Sequence, residues 1–128
     1  MSEAHFHVEK TGANSLRATI SGAMDAITME AALTTLSSEM AGMAHGDMLM
    51  IDQGASWPTI GAIGVELRHW PQMMAMLHQL DRTAFVTHNP MFRAAATMES
   101  AFLPGFEIRC FNDEASAQAW LTEARDAA

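Results

Sequence analysis

The stretch "IDQGASWPTIGAI", Ile51–Ile63, lies where the apolar run "MLMI" gives way to Asp52, a glycine-containing loop follows, and Pro58-Thr59 opens a long helical pattern. Open α/β sheets place ligands and chemistry where a strand ends in a polar turn that feeds a helix. The preceding "DMLMID" has no polar alternation, as a central strand covered on both faces requires. A buried strand followed by a helix points to a parallel, helix-covered sheet, and the rest of the chain can be placed around it.

Upstream, "HFHVEK" alternates, with Phe6 and Val8 on one face, and "LRATIS" alternates again with Leu16, Ala18 and Ile20. The turn residues "TGANS" between them predict an opening β-hairpin. Asp25 or Thr28 then caps a helix whose stripe is Leu33, Leu36, Met40 and Met43, ending over Gly42–Gly46. Downstream, Ile60, Ile63, Leu67, Trp70, Met74 and Leu77 keep helical spacing straight through Pro71 and are predicted to face the sheet. Proline removes a helical hydrogen bond, so a kink or two helices meeting at Trp70-Pro71 is expected. "TAFVTH" is the next strand. Asn89-Pro90 starts a helix with Phe92, Ala95, Met98 and Phe102 as its inner stripe, ended by "LPG". "FEIRCF" reads as a strand near a sheet edge. Asn112 or Asp113 caps a last helix buried through Ala117, Trp120, Leu121 and Ala124. The order is ββαβαβαβα: an α/β chain, one domain over residues 1–128, with a mixed, mostly parallel five-stranded sheet, an initial β-hairpin and helices packed on it.

Bulk properties narrow the function. The 128 residues fit one domain, and 49% apolar content supports a substantial core. Fifteen acidic against seven basic residues give a formal charge of −8, which repels phosphate backbones, so no nucleic-acid partner is expected. A single cysteine, Cys110, suits a reducing compartment, and a cytoplasmic location with no secretory leader is the expectation. No apolar run reaches the ~20 residues of a membrane span.

The hairpin, the "MLMID" strand with its "GASWPTIGAIGVELRHW" loop and helix, "RTAFVTHNPMFRAAATM" and "EIRCFNDEASAQAWL" together resemble the SpoIIAA-like branch of the STAS superfamily, from His5 to Leu121. The resemblance implies a central mixed sheet and a domain of the anti-sigma-antagonist type, which binds a partner protein and is switched by phosphorylation. The phosphoacceptor of that type is a serine in an Asp-Ser-Ser-Gly turn at the start of the helix after the third strand. Here the corresponding turn is Trp57-Pro58-Thr59-Ile60-Gly61, without the acidic residue and with Thr59 as the hydroxyl near the acceptor position. Similarity to CRAL-TRIO lipid-binding domains adds an apolar ligand or membrane contact to what the resemblance implies.

The candidate ligand- or partner-binding residues are Asp52, Ser56, Trp57, Thr59, Trp70, Met73, Met76 and His88. Asp52, Ser56 and Thr59 lie around the strand end, where Thr59 either caps the helix or presents a phosphate to its N-terminus. Trp57 either plugs the sheet end or meets a partner. Met73 and Met76 lie off the predicted inner stripe, and such free thioethers suit an adaptable partner, an acyl chain or a second copy of the protein. His88 and Asp52 at neighbouring strand ends form an alternative acid–base pair. His5 and His7 make only two potential ligands, so no metal is assigned. There is no Gly-x-Ser-x-Gly elbow and no Walker or dinucleotide-binding glycine pattern, and Cys110 reads as a buried, inert thiol. No catalytic residue or cofactor is assigned. The reading is a non-enzymatic module that binds a protein partner or apolar ligand through the loop after the third strand and the kinked Met-rich helix, with peripheral membrane contact by the same helix, a homodimer, and a small enzyme kept as alternatives.

Overall fold

The computed structural model describes residues 5–43, 45–55, 59–102 and 107–126. The elements follow the expected order: β1 (His5–Gly12), β2 (Ser15–Gly22), α1 (Ala26–Met40), β3 (Gly46–Ala55), α2 (Ile60–Arg68), α3 (Trp70–Gln79), β4 (Leu80–Val86), α4 (Pro90–Phe102), β5 (Ile108–Phe111) and α5 (Glu114–Asp126). The five strands form one sheet in the order β1-β2-β3-β4-β5. The β1/β2 pair is antiparallel, with Phe6 opposite Ile20 and Val8 opposite Ala18, and every later pairing is parallel.

This order fixes which face each helix covers. Three crossovers run in the same direction across the sheet, and right-handed connections put their helices on one face. That face carries the larger core, including Val8, Leu16, Ile20, Met29, Leu33, Met48, Met76 and Phe85. Only α5, which follows the last strand, is left for the other face. It buries Leu49, Ala84, Val86, Ala117, Trp120 and Leu121 there. Met48 and Leu49, adjacent in β3, are both buried but belong to opposite layers. This is why the strand reads as an unbroken apolar run.

Helix starts follow local chemistry. Asp25 caps α1 by accepting the Thr28 N–H at 2.9 Å, and Asp113 accepts the Ser116 N–H at 2.7 Å at the start of α5. Because these carboxylates accept backbone N–H groups, both are held below the usual aspartate range. On the α5 face, Phe111 lies 5.6 Å from the Trp120 ring, over which the Arg82 and Arg109 guanidinium groups sit at 4.7 and 5.0 Å.

The helical segment after β3 breaks at His69 into α2 and α3, as the proline demanded. Pro71 has no N–H for the Leu67 carbonyl, while the His69 N–H still reaches the Val65 carbonyl at 3.1 Å. Its orientation corrects the expectation. The buried residues of α2 are Ala62 and Val65, whereas Ile60 (89% exposed), Ile63 (39%), Leu67 (65%) and Trp70 (44%) look outward. Conversely Met76 is only 7% exposed and Met73 packs against the larger core, so neither thioether is free. The cause is steric. Helix α2 rests on α1, where a Cβ at Gly61 would lie 3.3 Å from that of Ala26. Such close approach admits the small face of α2 and turns the bulky face away.

Helix α4 shows a smaller offset. Phe92 and Ala96 are buried, with Phe92 tilted against Phe85 at 5.8 Å, while Ala95 is half-buried and Met98 is exposed. The helix lies over the edge strand β5, which leaves room for a narrower stripe than predicted. The side chains of Leu77, Phe102 and Ala124 lie outside the description.

Candidate functional site

Two arrangements gather at the C-terminal ends of the parallel strands: a polar lattice linking β3, β4 and β5, and the outward face of α2. The lattice starts at Asp52. One of its oxygens accepts the Gly54 and Ala55 N–H groups at 2.9 and 2.8 Å, while the other accepts the Thr87 hydroxyl at 2.7 Å. Gly54 has φ +100°, a conformation that disfavours side chains and lets the strand end fold back over the carboxylate. Thr87, almost fully buried, also accepts the Asn89 N–H at 3.1 Å through its hydroxyl and donates its own N–H to the Phe111 carbonyl. Arg93 donates to the Thr87 carbonyl at 3.0 Å and to the Asn112 side chain.

His88 donates from Nε2 to the Asn112 carbonyl at 2.8 Å. The two members of the alternative acid–base pair thus have separate hydrogen-bond partners: Asp52 joins β3 to β4, and His88 joins the end of β4 to the start of α5. A carboxylate accepting three hydrogen bonds from its own fold is a structural clamp in this state.

Thr59 is the N-cap of α2. Its Oγ1 accepts the Ala62 N–H at 3.2 Å, and its own N–H reaches the Met24 carbonyl at 3.0 Å, joining the start of α2 to that of α1. The residue itself is exposed. Ser56 and Trp57 lie outside the described residues. Trp70 sits at the C-terminal end of the outward apolar face, whereas Met73 and Met76 face inward.

The residues missed in the sequence are Ile60, Ile63 and Leu67. With Trp70 they form an apolar strip along α2 into α3. Ile27, 83% exposed in the first turn of α1, lies next to Ala26, the neighbour of Gly61. The available signal was the second, small-residue face formed by Gly61, Ala62 and Val65, which can pack closer than the bulky one. At one flank of α2, Glu66 is half-buried, and desolvation pushes its carboxyl above the usual range. His69 lies 3.9 Å from Glu30 on α1.

Among the described residues, no group of three or more His, Cys, Asp or Glu is placed to hold a metal ion. No described helix is long and apolar enough to cross a membrane. A polar cleft of about 210 Å³ between the hairpin turn and α5, lined in part by Ser15, Arg17, Asp47 and Gln118, includes none of the candidate residues.

Comparison with known proteins agrees with this architecture. The SpoIIAA-like family profile matches residues 15–122. No curated protein matches significantly. An uncharacterised protein of SpoIIAA-like fold from Shewanella loihica PV-4 superposes with a TM-score of 0.72 at 19% identity, covering 94% of this chain and 95% of that one. The phosphorylated form of the Bacillus cell fate determinant SpoIIAA gives 0.58 at 14% identity, covering 91% and 99%. The anti-sigma factor antagonist SpoIIAA in its unphosphorylated form gives 0.55 at 17%, covering 94% and 98%. At these identities the likenesses are of fold. With the profile spanning most of its length, the chain belongs to the SpoIIAA-like family.

Proposed function

We propose that the protein is a non-enzymatic binding module that docks a protein partner through the outward face of α2 and the first turn of α3. The observation that carries this reading is the exposure of Ile60, Ile63 and Leu67 on α2, whose opposite side is already buried against α1, with Trp70 exposed beside them at the start of α3. The fold therefore has no use for them as core. A contiguous apolar patch of this kind marks an interaction surface, and burying one such side chain contributes about 2 kcal/mol. Thr59, exposed at the N-terminal edge of the strip, borders the docking face.

A protein suits this face better than a lipid surface. Interfacial helices carry Lys and Arg along their polar side, whereas α2 and α3 together contain one, Arg68, and the whole chain carries a charge of −8. The solved relative described as an anti-sigma factor antagonist likewise has another protein as its target.

The test is a photo-crosslinking amino acid placed at Leu67 in the full chain, irradiated in the cells that produce it. A discrete protein adduct is expected, abolished by adding Ile63→Asp. Adducts with lipid alone, or none under conditions where the folded protein is abundant, would contradict the reading.

A further inference from the structure

We propose that the outward face of α2 is closed in solution by a second copy of this chain, through an antiparallel two-fold helix pair crossing at Gly64. This rests on the reading of that face as a protein-docking surface and names its occupant. Gly64 lies midway along the strip between Ile60 and Leu67, on the same side of the helix. Among the described residues a Cβ there would meet nothing within 4 Å, so their packing has no need of a glycine. Glycine inside a helix is otherwise unfavourable relative to alanine. What its missing side chain does offer is close approach of a second backbone at the middle of the patch. A two-fold axis through that point superimposes the patch on itself, as an isologous interface requires.

Charge favours the same arrangement. Gly61 and Arg68, seven residues apart, share one flank of α2. Because Ala26 contacts Gly61 and the Thr59 N–H bonds the Met24 carbonyl, Asp25 lies at the N-terminal end of that flank. Arg68 stands at the C-terminal end, exposed and with no ion pair among the described residues. An antiparallel pair brings Arg68 of each copy beside Asp25 of the other, twice. The long-range repulsion of two copies, each at −8, is screened beyond ~8 Å at physiological ionic strength. Ile27, Ile60, Ile63, Leu67 and Trp70 together present on the order of 600 Å² of surface per copy, at the upper limit for a bare monomer patch and close to one side of a standard interface.

Sedimentation velocity of the full chain over a concentration series tests the proposal. The wild type is expected at twice the mass of one chain at micromolar concentration. Gly64→Gln keeps the helix and adds a polar side chain only in open space, so it is expected to preserve the circular dichroism spectrum while raising the dimer Kd by at least ~10-fold. Arg68→Glu is expected to weaken association at low salt, with the deficit narrowing in ~1 M salt, where the screening length is about 3 Å. A wild-type monomer throughout the series, or a Gly64→Gln dimer as tight as wild type, overturns the proposal. If the wild type is monomeric yet Leu67 still crosslinks a different protein in cells, the second copy is refuted while the docking face stands. If neither association is found, both fail.

Discussion

The Asp52 carboxylate accepts the buried Thr87 hydroxyl at 2.7 Å and thereby ties the end of β3 to the end of β4. The same carboxylate folds the strand end back through Gly54 and Ala55. The bond therefore fixes where the loop toward α2 departs. Thr87→Val keeps the shape and removes the hydroxyl, leaving a half-buried carboxylate oxygen without its donor. We expect a loss of about 1–2 kcal/mol in urea denaturation, with Thr87→Ser close to wild type. Equal stability of the valine variant would show that the clamp is unimportant.

Thr59 gives a parallel test at the other end of the loop. Its Oγ1 satisfies the Ala62 N–H, so Thr59→Ala should cost about 1 kcal/mol, and Thr59→Asp, which also caps and complements the helix dipole, should recover it. A fully stable alanine variant would contradict the cap.

Glu66 should make stability depend on pH in an unusual direction for a carboxylate. Desolvation raises its folded-state pKa above the unfolded value. The protonated form is therefore favoured by folding. That contribution is fully present below the unfolded pKa and is lost as pH rises through the folded one. At neutral pH the ionised group opposes folding. Glu66→Gln is expected to raise Tm at pH 7 and to lose this advantage under acid conditions. A variant with the same offset at both pH values would refute this.

Cys110 is half-buried beside the larger core, and burial pushes its thiol up, with Arg93 pulling weakly the other way. Thiolate chemistry is disfavoured near neutral pH. Ellman's reagent should modify the native protein at least ~10-fold more slowly than free cysteine at pH 8, and at a comparable rate once the protein is unfolded. Rapid labelling of the native state would contradict the assignment of a protected thiol.

These positions show which kinds of information the sequence carries. Thr59 was readable as a cap, and Asp25 and Asp113 as one of two candidates each, beside Thr28 and Asn112, because a cap involves the next three residues alone. The hairpin and the buried run of β3 were readable because each side chain's face follows from period two. The orientation of α2 was not. That helix has one bulky apolar side and one small one, and the choice between them depends on how closely α1 approaches at Ala26, a non-local quantity. The same inversion took Met73 and Met76 inward and left Leu67 outside. The Asp52–Thr87 bond was equally hidden, because the sequence suggested that the two strand ends meet but not which polar side chain would face Asp52.

The most direct measurement is carbene footprinting of Leu67 and Trp70, compared between dilute purified protein and the same protein inside producing cells. The docking account predicts strong labelling of both side chains in a sample diluted until the chain is monomeric and clear protection in the cell, with buried Met76 protected in both. Strong labelling of Leu67 and Trp70 in both settings would contradict the claim that this face is covered by protein.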